Sequence, residues 1–299
     1  MSLETSSTPG SVDDSAGPPT VGPAGTVLRH VEANGLRFAH FEAGNGPLAL
    51  LVHGFPDTPH GWRELIGPLV DAGYRVVAPF TRGYAPTEIP QDRVIPLDTL
   101  AADVIALIDA LGESSAVLVG HDWGAATAYL AAARAPARID KLVAIGIPHP
   151  RVVTPSLRLL WLGRHFIGLR LPGALGRARR DDFALIDTFY RRWSPTWSFG
   201  PEETAPVKAA FAQEGSLDAA IGYYRGFRPG IPAELRRPID VPTLAVAGQD
   251  DPAIDVEVYH RAARSFGAGY EVVALPGGHF VHRESPDGFV KAVTTFLSA

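Results

Sequence analysis

The amino-acid sequence predicts an α/β fold: a mostly parallel sheet with helices on both faces and a helical segment inserted late in the chain. Three observations predict it. Short aliphatic runs alternate with segments whose apolar residues recur at helical spacing, the alternation stops between about residues 148 and 238, and it resumes toward the C-terminus. A chain of 299 residues with 46% hydrophobic and 20% charged side chains can bury a large core without crosslinks.

Residues 1–24 carry neither the basic start nor the apolar stretch of a signal peptide, and are expected to form a flexible tail. VLRHVEA and LRFAHFEAG then flank Asn34 and Gly35, a pair that tolerates the positive φ values of a two-residue turn, so a hairpin is expected. LALLV (48–52) and RVVAP (75–79) read as buried strands, and Leu100, Val104, Leu107, Ile108 and Leu111 as one face of a helix. AVLVG (116–120) and LVAIGI (142–147) continue the strands, with an alanine-rich helix over about 124–134 between them.

From Pro148 to Pro238 the sequence turns aromatic and arginine-rich, as in LRLLWLGRHF and LIDTFYRRW, with weak strand signals. TLAVAG (243–248), EVVAL (271–275) and a helix near 285–297 restore the earlier rhythm. The expected division is a tail at 1–24, a core at 25–147, a helical cap at 148–238 and the rest of the core at 239–299. A cap over the carboxyl ends of the strands places a cleft where open sheets hold their sites.

Charge and cysteine content exclude several functions. With 27 basic and 32 acidic residues the formal charge is −5, so no global basic field draws nucleic acid or an anionic membrane. Absence of cysteine removes disulfides, thiolate metal ligands and cysteine nucleophiles. No run of 18 apolar residues suggests a membrane span, and a cytoplasmic location is the expectation. A small-molecule partner fits best, in a monomer or homodimer.

The sharpest chemical signal is Gly120-His121-Asp122-Trp123-Gly124, between a strand and an alanine-rich helix. Glycine on either side lets the backbone turn sharply and leaves the central Asp122 exposed at the sheet edge, ready to act as a nucleophile. The plainer alternative is an aspartate that caps the helix. Behind LALLV, His53-Gly54-Phe55-Pro56 can bring the Phe55 amide opposite Asp122, pairing it with the Trp123 amide as an oxyanion hole. His53 itself reads either as a pocket residue or as a ring fixed by backbone hydrogen bonds. Farther along, GQDDP (248–252) offers Asp251, preferred over Asp250 as the partner of a histidine, and GGHF (277–280) offers His279, preferred over His282.

His53, His121, His279 and His282 fall on separate loops without HxxxH or HxH spacing, so no metal site is expected. Neither GxGxxG nor GxxxxGK[ST] occurs, and no cofactor is expected.

Taken in order, HGFP (53–56), RGY (82–84), VGHDWG (119–124), GQDDP (248–252) and GGHF (277–280) resemble the α/β-hydrolase superfamily, and within it the epoxide hydrolase and haloalkane dehalogenase branch. The resemblance implies an eight-stranded, mostly parallel sheet with a cap between the sixth and seventh strands. It also implies a nucleophile at Asp122, assisted by His279 and Asp251, and two proton donors from the cap. Tyr224 in GYYRGF matches the second donor, with Tyr223 beside it. The first donor is commonly a tyrosine seven residues before a proline. Here that position, before Pro172, holds His165, with Tyr190 as a fallback.

The implied activity is hydrolysis of an apolar or aromatic epoxide to a vicinal diol through an ester on Asp122, with water as second reactant. A haloalkane dehalogenase is the alternative. It would hold halide with Trp123 and a second side-chain N–H, yet Phe55 stands where that donor commonly follows His-Gly, leaving Trp161, Trp193 or Trp197 from the cap. Trp193, Trp197 and Tyr190 read first as aromatic packing of cap against core. A lyase or isomerase acting on a natural product, and a noncatalytic binding protein of the same fold, complete the readings.

Overall fold

The computed structural model describes residues 22–154 and 156–299. Of the tail expected over 1–24, residues 1–21 lie outside the described residues. The strands are β1 (Val27–Ala33), β2 (Leu36–Ala43), β3 (Leu48–Val52), β4 (Arg75–Pro79), β5 (Ala116–His121), β6 (Ile139–Ile145), β7 (Thr243–Gly248) and β8 (Tyr270–Leu275). They form one eight-stranded sheet in the order β1-β2-β4-β3-β5-β6-β7-β8.

Asn34 and Gly35 take φ values of 43° and 75°, and the tight turn they make pairs β1 with β2 antiparallel. β2 also runs antiparallel to β4, and from β4 to β8 the neighbours are parallel. β3, β5 and β7 are buried along their whole length, as their unbroken aliphatic runs require when helices cover both faces.

Helices α1 (Arg63–Asp71), α2 (Leu97–Ala110) and α3 (Trp123–Arg134) precede the inserted segment. That segment, between β6 and β7, carries α4 (Leu157–Leu162), α5 (His165–Gly168), α6 (Ala174–Trp193, broken at Arg180–Phe183), α7 (Ala205–Ala212) and α8 (Ser216–Gly226). After it come α9 (Val256–Arg261), α10 (Val281–Glu284) and α11 (Pro286–Ser298). α2 and α3 cover one face of the sheet, where Ala125, Ala128, Ala131 and Ala132 let α3 lie close against the strands. α1 and α11 cover the other through Leu65, Ile66, Leu69, Phe289 and Val293.

A third apolar cluster joins core to cap: Phe55, Phe80 and Trp123 from below meet Phe189, Trp193, Phe211 and Tyr224 from above. Among the described residues no helix is long and apolar enough to cross a membrane.

Candidate active site

The turn from β5 into α3 sets the centre of the site. Asp122 has φ 53° and ψ −118°, a conformation that costs a non-glycine residue energy and persists because the surrounding backbone dictates it. Glycine on both sides makes the packing possible. A Cβ on Gly124 would collide with the Val52 carbonyl, and one on Gly54 would lie 2.5 Å from the Asp122 Cβ.

The Phe55 amide donates to Asp122 Oδ1 at 2.8 Å, as its position after β3 suggested. Trp123 opens α3, where the first amides of a helix lack intrahelical acceptors. Asp122 Oδ2 faces His279 Nε2 at 3.4 Å, and Asp251 Oδ2 faces His279 Nδ1 at 3.5 Å. The other Asp251 oxygen accepts from the Ala253 amide at 2.7 Å and the Ile254 amide at 3.3 Å, which fixes the carboxylate. Asp250 turns away and accepts from the Gly277 amide at 3.1 Å, tying the two late loops together.

Burial disfavours a charged imidazole, but Asp122 and Asp251 on either side outweigh it and raise His279 to about 10. The resting site is therefore an imidazolium between two carboxylates.

The cap closes over this arrangement with aromatic rings. Tyr224 is buried, with its ring edge-on to Trp123 at 5.4 Å and to Phe55 at 5.0 Å between centroids. The Trp123 indole and the Asp122 carboxylate both act on the Tyr224 hydroxyl. Burial, reinforced by the charge of Asp122, holds the phenol well above its ordinary value and keeps it protonated. His165 packs among Phe166, Phe189, Trp193 and Tyr224. Its Nδ1 lies 3.1 Å from the Leu162 carbonyl, an acceptor, so Nδ1 carries the proton. Burial lowers the ring to about 4, and at neutral pH Nε2 is then an unprotonated acceptor.

Three expected pocket residues have their hydroxyl or ring engaged by other parts of the protein. Tyr190 donates to the Pro56 carbonyl at 3.1 Å and accepts from Arg283 Nη1 at 2.8 Å, so its hydroxyl ties cap to core and is no donor to substrate. Tyr223 donates to the Arg82 carbonyl at 2.6 Å, and its ring meets Trp123 edge-on at 5.7 Å between centroids. Trp197 stacks on Tyr190 at 6.0 Å, on the Arg283 side.

His53 is buried, its Nδ1 against the Gly54 carbonyl at 2.9 Å and its Nε2 accepting from the Thr81 amide at 3.1 Å. Those bonds fit the reading of a ring fixed by the backbone. Trp193 does reach the site, its ring edge-on to His279 at 5.5 Å between centroids. Trp161, in contrast, lies 66% exposed on the outer surface.

Two groups escaped the sequence. Ser194, just after α6, donates to Glu284 at 2.6 Å and accepts from the Phe280 amide at 3.2 Å, while Glu284 accepts from the Gly278 amide at 2.9 Å. With the Trp193 carbonyl accepting the His279 amide at 3.0 Å, the end of α6 clamps the histidine loop. The motif GGHFVHRE contains Glu284, but nothing local marks Ser194 as its partner.

The second group is Asp57, His121 and His282, whose ligating atoms lie within 4.8 Å of one another, so these histidines are not dispersed as expected from sequence. All three are buried, and Arg283 Nη1 already pairs with Asp57 Oδ1 at 3.2 Å. His121 Nε2 donates to the His279 carbonyl at 3.0 Å and so braces the catalytic loop from behind.

Residues 47–286 match a family model described as alpha/beta hydrolase fold. An AB hydrolase superfamily protein of Bacillus subtilis is 34% identical over 270 residues, 88% of this chain and 94% of that protein. Epoxide hydrolase A of Mycobacterium tuberculosis is 30% identical over 313 residues, 90% of this chain and 97% of that protein. The crystal structure of an epoxide hydrolase from Vigna radiata is similar with a TM-score of 0.78 and 26% identity, covering 92% of this chain and 98% of that one.

Proposed function

The chain belongs to the α/β-hydrolase family, in its epoxide-hydrolase branch, and from that membership we propose that it converts an apolar epoxide to a vicinal diol through an ester on Asp122. The observation that carries this reading is the position of Tyr224. Its ring packs edge-on to Trp123 and Phe55, and its buried, protonated hydroxyl lies in the field of Asp122, where an opening epoxide oxygen needs a proton. Phe55 stands where a dehalogenase commonly places its second halide-holding side-chain N–H and has none to offer.

Asp122 Oδ1, held by the Phe55 amide, becomes the ester carbonyl oxygen, and Oδ2 attacks the epoxide carbon. As the carbon–oxygen bond breaks, the oxygen takes a proton from Tyr224, and a hydroxyalkyl ester results. Esterification removes one of the two carboxylates beside His279, so the imidazolium gives up its proton, which passes through solvent to the Tyr224 phenolate, and becomes a base.

His279, oriented by Asp251, then takes a proton from water as the water oxygen attacks the ester carbonyl carbon. The oxyanion forms on Oδ1 against the Phe55 and Trp123 amides. On collapse the acyl carbon–oxygen bond breaks, the departing alkoxide takes the proton of the added hydroxyl, and the diol leaves with Asp122 restored and His279 again an imidazolium, as at rest. His165, neutral at pH 7, packs against Tyr224 and becomes a second donor only when protonated.

Phe55, Trp123, Phe166, Phe189 and Trp193 surround the reacting atoms, which suits apolar or aromatic epoxides. Incubation with matched panels of epoxides and haloalkanes tests the reading. Vicinal diols without halide release are expected. Halide release with an alcohol product would overturn it in favour of the dehalogenase.

A further inference from the structure

The cap presents to solvent a surface that the reaction does not use. Five of the eight large hydrophobic side chains exposed among the described residues fall in one short stretch: Leu157 (87% exposed), Leu160 (65%), Trp161 (66%), Ile167 (67%) and Leu171 (52%). Apolar side chains gathered this way on a water-facing surface mark an interaction site rather than chance exposure.

Charge supplies the second observation. Residues 157–180 hold six arginines, Arg158, Arg164, Arg170, Arg177, Arg179 and Arg180, and no aspartate or glutamate, in a chain whose net charge is −5. All six are exposed, and among the described residues Arg158 alone of them pairs with a carboxylate, Asp255 at 3.2 Å. Arg164 lies over the Trp161 ring at 4.2 Å.

We propose that this face of the cap docks on an anionic lipid surface, Leu157, Leu160, Trp161, Ile167 and Leu171 entering the headgroup boundary while the arginines meet lipid phosphates. Tryptophan and aliphatic side chains settle at that depth, and arginines add attraction that a second copy of this same patch would not supply, since a symmetric pairing sets arginine against arginine. The chain's overall negative charge conceals this segment in any whole-sequence count. No spanning helix is involved, and the inference does not depend on the reaction assigned above.

α4 and α5 link the two sides of the cap. Leu160, Trp161 and Ile167 face solvent, while His165 and Phe166 pack against Tyr224 and Trp123. An apolar substrate dissolved in the bilayer would then meet the protein at the wall of its pocket.

The full chain, sedimented with phosphatidylcholine vesicles containing or lacking phosphatidylglycerol, tests this. Binding is expected to the anionic vesicles, to weaken as salt rises, and to shift tryptophan emission to the blue in wild type and not in Trp161→Phe. Leu160→Ser with Trp161→Ser is expected to lower vesicle affinity at least about tenfold, and Arg164→Gln or Arg177→Gln about fivefold each. Circular dichroism checks that the double variant folds, and the arginine variants and the wild-type salt series stand without it. Equal binding to both vesicle types, or none, overturns the proposal. So does a concentration-dependent dimer that the same double variant dissociates, which would give the surface to a second copy.

Discussion

The two halves of the active site are held in different ways. The strand-end loops of the core fix Asp122, Asp251 and Phe55 through backbone geometry: a positive φ at Asp122, amides onto both aspartates, and glycines where no Cβ fits. The cap holds Tyr224, His165 and Trp193 by ring packing and by a few long-range polar ties. Backbone-held groups tolerate little change in place. Packed groups can be exchanged one at a time, at a cost set by what each touches.

The largest expected effect is in the core. Asp122→Ala should lower turnover by at least about 10⁴-fold, and steady-state rates on a substrate epoxide check it. His279→Gln should still form the ester and accumulate protein heavier by one substrate mass, visible by intact-mass spectrometry. Near-normal steady-state turnover in His279→Gln would place the base elsewhere and dissolve the contrast. In the cap, Tyr224→Phe should cost about 10²- to 10³-fold in kcat, the loss of one donor to a developing oxyanion. His165→Phe should cost less than about tenfold at pH 7, since its Nδ1 proton sits on the Leu162 carbonyl. A larger loss for His165 than for Tyr224 would reverse their ranks.

Between core and cap lies a buried ionic strut. Arg283 reaches Asp57, the Tyr190 hydroxyl and Glu203. Arg283→Met leaves two carboxylates short of a partner and should cost about 3–5 kcal/mol of stability in urea unfolding. An unchanged midpoint would show that the cap is held by aromatic packing alone. Ser194→Ala breaks the clamp on the histidine loop and should cost about 1–3 kcal/mol, with a fall in kcat rather than a rise in KM.

How far the sequence revealed these halves follows from the same contrast. Aliphatic runs marked each core strand because parallel strands are buried on both faces, and Asp122 stood out because its turn demands glycine neighbours. α1 was missed: Gly67 and Pro68 interrupt its helical pattern, while Leu65, Ile66 and Leu69 still pack it on the sheet. Ser194 and Glu284 are 90 residues apart, and Tyr190 and Arg283 are 93 apart, so no local pattern announced either pair. Tyr190 looked like a pocket donor and Tyr223 like a pocket residue because residue type is visible in a sequence and the direction of a hydroxyl is not.

The smallest expected effect is on pH dependence. Burial holds His53 at about 4, against an ordinary 6.5, so the unfolded chain binds its proton first. That contribution to stability is present above pH 6.5 and is lost as pH falls toward 4. For Asp57, Arg283 outweighs burial and holds the carboxyl at about 2, so its contribution is present above pH 3.8 and lost only below that. Tm should therefore fall between pH 6.5 and 5, and His53→Gln should flatten part of that slope. A slope unaltered by His53→Gln would assign the acid sensitivity to other buried histidines.

The most direct test of the account is multiple turnover of a substrate epoxide in ¹⁸O-labelled water, followed by mass spectrometry of the peptide that contains Asp122. An ester hydrolysed at its carbonyl carbon leaves one labelled oxygen in the Asp122 carboxylate, and that mass shift is expected in wild type. A labelled diol formed over many turnovers with Asp122 unlabelled would mean that water attacks the epoxide directly, and would contradict the central role given to that residue.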